Sequence, residues 1–307
     1  MFKLVVAVAM VFQLAEQAAP PTFHSSVDVV RLAAVVRDQK GRFVRDLAPA
    51  DFEVFDSGRM RAIKDFRYDV AGLSIALLFD VSGSMEGQLA HARDAASVLL
   101  GLLDPARDEA AVFQFDTRLE QAVPFTRGLR ELPASMSAVV PFGATSLFDA
   151  VARTAERVTA SEGRRHAVVV FTDGLDNASR LTASQVSGIA SSIDVPVYIV
   201  GIVSGLDDPT SDRATPAAIR SPLAGELANL ASWTGGSAWV ASAAPQRSYV
   251  MRQIVDELRH QYVIAIETGA EAGWHPLTVK LRNKRLTAHA RSGYIVGQSR
   301  PATGAGG

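Results

Sequence analysis

Apolar residues in the central part of the chain form short continuous runs that alternate with amphipathic stretches. The runs lie at 73–80, 109–116, 166–173 and 195–203, and a shorter one lies at 237–241. A continuous apolar run is typical of a strand that is covered on both faces. A capping box at Thr182 and Gln185 begins one intervening helix, and Ser221-Pro222 begins another. The alternation predicts an α/β fold over residues 71–242, with a doubly wound, mostly parallel sheet and helices on both faces.

Strand-like patterns lie on either side of this centre. Residues 26–70 predict a small β region with turns at 38–41 and 56–58. Residues 245–297 predict one helix that ends near Gln261, followed by strands at 262–268, 276–282 and 286–296. Two β-type flanks around an α/β centre suggest that the flanks pack together, although the pattern leaves this pairing open.

The two ends of the chain have a different character. Residues 1–20 contain Lys3, an apolar run from Leu4 to Phe12 and then small residues, which is the order of a secretory signal sequence. The run is shorter than the roughly 20 residues of a membrane span. A buried first strand and an uncleaved anchor are the alternatives. The pattern predicts an exported protein (periplasmic, cell-envelope or secreted) without a stable transmembrane span, and residues 298–307 predict a flexible tail.

Composition and charge exclude several kinds of site. The chain has no cysteine, which excludes disulfides, thiolate metal sites and a lipoprotein anchor. The formal net charge is −1, so no overall field attracts nucleic acid, and none is expected as a partner. The acidic stretch at 204–220 follows a predicted strand, and its role stays open.

Oxygen-bearing side chains follow the predicted strands at one edge of the sheet. Asp80 ends the first apolar run, and Ser82 and Ser84 follow it. Thr145 lies in the loop before a later helix, and Asp173 ends the third run. Ligands of parallel α/β sheets bind at the carboxyl ends of the strands. Hydroxyls and carboxylates suit Mg²⁺, Mn²⁺ or Ca²⁺ better than Zn²⁺ or copper, so these residues predict a divalent-cation site.

The same residues resemble the metal-ion-dependent adhesion site of von Willebrand factor type A domains, with its Asp-x-Ser-x-Ser pattern, separate Thr and later Asp. The resemblance implies that Ser82 and Ser84 bind Mg²⁺ directly, as Thr145 does in the open state of the site. It implies that Asp80 and Asp173 act mainly through water. A Glu or Asp of a protein partner then supplies the last ligand. The flanks are similar to those of exported bacterial proteins described as VWFA-related, in the stretches VVRDQKGRFVRDLAPADFEVFDSG before the centre and LRHQYVIAIET and ARSGYIV after it. These flanking motifs are less specific and imply no activity.

Two other functions are weighed against this one. A phosphohydrolase of the haloacid dehalogenase type would use Asp80 as its nucleophile, but it needs a second Asp where this chain has Ser82. Ser84 lacks the G-x-S-x-G context of a hydrolase, and no G-x-x-x-x-G-K-[ST] motif occurs. A purely structural envelope module is the other alternative. We therefore predict a binding protein and not an enzyme.

Overall fold

The computed structural model describes residues 29–68, 72–158, 164–192, 194–204, 225–269 and 271–296. The predicted signal sequence, the tail at 298–307, the helix start at Ser221 and the acidic stretch beyond Ser204 lie outside these ranges. The α-helices within them are α1 (Leu89–Leu102), α2 (Ala134–Ser137), α3 (Leu147–Val158), α4 (Ala183–Ser192), α5 (Glu226–Thr234) and α6 (Ala244–Arg259). None of these helices is long and apolar enough to cross a membrane.

The described ranges contain fourteen strands. They are β1 (Val29–Asp38), β2 (Phe52–Asp56), β3 (Arg59–Arg61), β4 (Ile63–Arg67), β5 (Leu73–Asp80), β6 (Glu109–Phe115), β7 (Leu119–Arg127), β8 (Arg165–Thr172), β9 (Val197–Ile202), β10 (Ala238–Ala241), β11 (Gln261–Glu267), β12 (Gly273–Leu281), β13 (Leu286–Ala290) and β14 (Gly293–Val296).

Six of the strands form the central sheet, in the order β10-β9-β8-β5-β6-β7. All neighbouring pairs are parallel except β6 and β7, which are antiparallel. Leu77 of β5 aligns with Val112 of β6 on one side and with Val169 of β8 on the other. The predicted α/β fold with a mostly parallel sheet is confirmed.

Helices cover both faces of this sheet. Ile75 and Leu77 of β5 pack in one core with α1 and α6, whereas Ala76 and Leu78 pack in a second core with α3, α4 and α5. All eight residues of β5 are buried, as the continuous apolar run predicts. α6 packs on the central sheet. The predicted boundary after residue 242 therefore separates this helix from the sheet that it covers.

The flanking segments form two further sheets, in the orders β13-β1-β11-β4 and β14-β12-β2-β3. β1 pairs with β11 and β13, and β2 pairs with β12, so each sheet contains strands from both ends of the chain. A third apolar core that includes Leu32, Val54 and Tyr262 contains residues of both sheets.

Two parts of the sheets differ from the predicted elements. The single strand predicted at 286–296 is two strands, because the chain leaves β13 in one sheet and enters β14 in the other. Gly293 begins β14 directly against Trp274, where an added Cβ would lie 2.2 Å from the indole ring. The pattern also gave no indication of β7, a partly exposed edge strand that contains Pro124.

Candidate metal-binding site

The carboxylate of Asp80 lies fully buried at the end of β5. Its Oδ1 accepts a hydrogen bond from the Ser82 N–H at 3.0 Å, and its Oδ2 accepts one from the Thr172 hydroxyl at 2.7 Å. Burial raises the pKa of Asp80 to about 6; these hydrogen bonds oppose the rise, and the Asp173 carboxylate adds to it. The negative charge of Asp173 therefore disfavours ionisation of Asp80, and a cation at this edge of the sheet would offset that repulsion.

The hydroxyls of Ser82 and Ser84 lie 3.1 Å apart in the loop after β5. Residues 83–85 form one turn of 3₁₀ helix, and the buried side chain of Met85 anchors this turn in the core. Ser82 is buried, whereas Ser84 is exposed. The hydroxyl pair thus extends from the buried carboxylate toward solvent.

Thr145 lies in the loop before α3, beside this turn. The Gly83 N–H donates to the Gly143 carbonyl at 3.0 Å, and the Phe142 N–H donates to the Val81 carbonyl at 2.9 Å. Gly143 has a φ of +88°, a left-handed conformation that glycine adopts without steric cost. The side chain of Thr145 is buried. Backbone hydrogen bonds therefore hold the Thr145 loop against the loop that carries the serines.

Asp173 follows β8 and is partly exposed. Its Oδ1 accepts a hydrogen bond from the Leu175 N–H at 3.2 Å. The preceding Thr172 donates its hydroxyl to Asp80 and accepts a hydrogen bond from the Gly174 N–H at 3.0 Å. This side-chain link joins the ends of β5 and β8, and it brings the two carboxylates near each other.

All five predicted ligand residues thus lie on three adjoining loops at the carboxyl edge of the sheet. Direct hydrogen bonds connect Asp80, Ser82 and Ser84 to one another. The charge of Asp173 acts on Asp80, and backbone hydrogen bonds hold the loop of Thr145 against the loop of the two serines. That they bind a metal ion together stays a prediction.

The sequence pattern gave no indication of the residues that hold these loops in place. Asn177 Oδ1 accepts a hydrogen bond from the Thr145 N–H at 2.9 Å, and the Asn177 N–H donates to the Thr145 carbonyl at 3.1 Å. Asp176 accepts a hydrogen bond from the Phe148 N–H at 3.0 Å, which caps the start of α3. The signal for both is an Asp-Asn pair shortly after a strand, where such side chains bond to nearby backbone.

The candidate site differs from a cluster of acidic and histidine side chains. The parts of the chain that the structure describes contain no group of three or more His, Asp or Glu side chains suited to a metal ion. The candidate site is of a different kind, because it combines two carboxylates with three hydroxyls.

Residues 75–175 match a family model described as von Willebrand factor type A domain. The chain contains a von Willebrand factor type A domain. All five predicted ligand residues lie within the matched residues of this type A domain. No curated protein matches the chain.

Several solved structures are similar to parts of the chain. An aerotolerance-related membrane protein from Bacteroides fragilis NCTC 9343 is 20% identical, with 61% of this chain and 98% of that chain covered and a TM-score of 0.49. Proximal thread matrix protein 1 from the mussel byssus, in a structure with a zinc-occupied MIDAS motif, is 19% identical over 66% of this chain and 50% of its own, with a TM-score of 0.46. A von Willebrand factor type A structure from Catenulispora acidiphila is 13% identical, with 89% of this chain and 76% of that chain covered and a TM-score of 0.44.

Proposed function

We propose that the protein is an exported, non-enzymatic binding module whose type A domain uses a divalent cation to bind an acidic side chain of a partner protein. The cation is Mg²⁺, with Mn²⁺ and Ca²⁺ as the alternatives. The proposed ligands are the five residues on the three adjoining loops, Asp80, Ser82, Ser84, Thr145 and Asp173.

The surroundings of Asp80 support this proposal most directly. Its buried carboxylate lies beside a hydroxyl pair, Ser82 and Ser84, and near a second carboxylate, Asp173, whose charge contributes to its raised pKa. Carboxylates and hydroxyls are hard oxygen ligands, which suit Mg²⁺, Mn²⁺ and Ca²⁺. Two carboxylates also balance the charge of one dication. The donor set therefore fits the proposed ion.

Hydrogen bonds fix the buried side of the site, and its outer side is exposed to solvent. The Thr172 hydroxyl and the Ser82 N–H hold both oxygens of Asp80, so this carboxylate is fixed before any ion binds. Ser84 is exposed, which leaves the outer side of the site open to a second protein. A cation held there supplies a Lewis-acidic position for a partner's carboxylate.

Export is proposed from the sequence alone. The order of Lys3, the apolar run from Leu4 to Phe12 and the small residues that follow supports a signal sequence over residues 1–20. The proposed location is the periplasm, the cell envelope or the medium.

Isothermal titration of the protein with Mg²⁺ or Mn²⁺ tests the metal site. We expect one binding site, which Asp80→Ala abolishes and Ser84→Ala weakens. Ser84 is exposed and makes one side-chain hydrogen bond, so its substitution leaves the fold intact. Asp94→Ala, which removes an exposed carboxylate on α1, serves as the matched control and keeps full binding.

Three results would contradict the proposal. Unchanged titration of Asp80→Ala would remove this residue from the site. A metal-dependent turnover of phosphoesters that disappears in Asp80→Asn would favour the phosphohydrolase instead. A partner whose capture is indifferent to both chelation and Asp173→Ala would favour a structural module.

A further inference from the structure

Large hydrophobic side chains are exposed on the loops that carry the candidate metal-binding site. Val140 and Phe142, shortly before Thr145, are each 80% exposed, and Leu175, shortly after Asp173, is 46% exposed. The other exposed large hydrophobic residues of the described ranges are scattered, at Val29, Met60, Leu102, Tyr249 and Trp274. Single exposed apolar side chains are ordinary, whereas several on adjoining loops indicate an interaction surface.

Backbone hydrogen bonds hold Phe142 and Leu175 beside the site, and Val140 lies two residues before Phe142. We call Val140, Phe142 and Leu175 the apolar rim. The Phe142 N–H donates to the carbonyl of Val81, the residue that follows the buried carboxylate of β5. The Leu175 N–H donates to the carboxylate of Asp173. The rim therefore lies on two of the loops that contribute the proposed ligands, and one partner can contact both the rim and the ligands.

We propose that the apolar rim binds large aliphatic or aromatic side chains that flank the acidic residue of a partner protein. This inference rests on the proposed function, because the acidic residue is the one that the cation binds. It adds the chemistry of the neighbouring positions: the partner segment carries an apolar residue beside its Asp or Glu.

Charge and polarity decide between a protein and a membrane as the occupant. The centre of the surface presents the hydroxyl of exposed Ser84 and the partly exposed carboxylate of Asp173, with buried Ser82 and Asp80 beneath them. A hydrocarbon layer would desolvate these groups without offering them any partner, which is unfavourable. An acidic side chain with apolar neighbours satisfies the centre and covers the rim together, so a protein segment fits both parts.

A covered rim also strengthens the central contact. Apolar contacts around a polar centre exclude water from it, and charge interactions are stronger where water is absent. The rim and the cation site should therefore act together on the same ligand.

The role of the rim is tested with three capped tripeptides, Gly-Asp-Gly, Leu-Asp-Leu and Leu-Asn-Leu. NMR titration measures the affinity of the full chain for each peptide, in Mg²⁺ and in EDTA. We expect Leu-Asp-Leu to bind about tenfold more tightly than Gly-Asp-Gly in Mg²⁺, the effect of covering one large apolar side chain. In Mg²⁺, Leu-Asn-Leu should bind at least tenfold more weakly than Leu-Asp-Leu. In EDTA, every peptide should bind at least tenfold more weakly than Leu-Asp-Leu does in Mg²⁺.

Substitutions in the rim test its residues. Phe142→Ser and Leu175→Ser should each lower the ratio of the two Asp-peptide affinities toward one. Both side chains are exposed, so the fold should tolerate the changes, which circular dichroism checks. Met60→Ser is the matched control, because Met60 is 69% exposed on β3, in a flanking sheet, and the ratio should stay unchanged.

The outcomes separate this inference from the proposed function. Mg²⁺-dependent binding of Gly-Asp-Gly with equal affinity for Leu-Asp-Leu would overturn the rim inference alone. Absence of Mg²⁺-dependent binding of either Asp peptide would overturn both. A third outcome would assign the rim to a membrane and overturn the inference. In it the wild type sediments with phosphatidylglycerol vesicles, Phe142→Ser does not, and the two Asp peptides bind with equal affinity.

Discussion

His275 is nearly fully buried on β12, and both of its ring nitrogens face acceptors. Nδ1 lies 2.9 Å from Asp56 Oδ1, and Nε2 lies 2.6 Å from the Glu271 carbonyl oxygen. A neutral imidazole carries one N–H, so only the protonated ring can donate to both. Asp56 also accepts hydrogen bonds from Arg61 and from the Tyr294 hydroxyl. The geometry therefore indicates a protonated, positively charged His275 ring that is buried between two acceptors.

The pKa shifts of the cluster agree with this geometry. The Glu271 carbonyl raises the pKa of His275 above 6.5; burial opposes the rise, and Asp56 adds to it. Burial favours neutral Asp56, but hydrogen bonds from His275 and Ser57, with the charges of His275 and Arg61, lower the pKa of Asp56 below 3.8. The histidine thus contributes stability that is present below its unfolded-state pKa and is lost as the pH rises through its folded-state pKa. The aspartate contribution is present above its unfolded-state pKa and is lost as the pH falls through the folded-state value.

We expect the free energy of unfolding to fall more steeply above about pH 6.5 in the wild type than in His275→Gln. Deprotonation leaves one acceptor of the ring without its donor, which costs about 1 kcal/mol. Urea denaturation at a series of pH values measures the slope. His91→Gln, on the exposed face of α1, controls for the loss of one histidine. Equal slopes in the wild type and His275→Gln would show that folding does not raise the pKa of this ring.

At the scale of elements, Arg165 at the start of β8 holds the C-terminal end of α6. Its guanidinium donates to the Leu258 carbonyl at 2.7 Å and to the Gln261 carbonyl at 2.8 Å. The last carbonyls of a helix lack partners within the helix and carry partial negative charge, so a cation stabilises them. Arg259 in the last turn also pairs with buried Asp108 at 2.6 Å. The end of α6 is thus attached to the central domain by two arginines.

We expect Arg165→Met to lower the free energy of unfolding by about 2 kcal/mol, because it removes charged donors and keeps the apolar part of the side chain. Amide hydrogen exchange should become faster in the last turn of α6. Arg252→Met, an exposed position on the same helix, is the control and should change neither quantity. Unchanged exchange in that turn of Arg165→Met would show that other contacts hold the helix end.

Elements could be predicted from the sequence where burial alone determines their pattern. The run at 73–80 predicts β5 because the strand is buried on both faces. β7 could not be predicted, since it is partly exposed and contains Pro124, and its pairing with β6 supplies the decisive hydrogen bonds. The site follows the same rule: the order of its hydroxyls and carboxylates can be read from the chain. The hydrogen bond from Thr172 to Asp80 depends on how β5 and β8 align, which the sequence pattern does not reveal.

At the scale of the whole molecule, α6 contacts both the central domain and the flanking sheets. Met251 and Ile254 lie in the core that covers β5, while Arg37 of β1 donates to Glu257 at 3.1 Å. The helix is followed almost at once by β11, which lies between β1 and β4 in its sheet. The position of α6 could not be predicted from its amphipathic pattern, because that pattern does not indicate which sheet the apolar face covers.

The packing of α6 predicts where the central domain can be cut. We expect a chain of residues 71–260 to unfold cooperatively in urea, and a chain of residues 71–242 to lose this transition. Removal of α6 uncovers an apolar layer that buries five of its side chains, Val250, Met251, Ile254, Val255 and Leu258. Burial of each is worth about 2 kcal/mol, so the total is comparable with the whole stability of a typical domain. Circular dichroism in urea, with binding of a dye specific for apolar surface, distinguishes the two chains. A cooperative transition of residues 71–242 at the same midpoint would place α6 outside the folding unit, with the C-terminal β region.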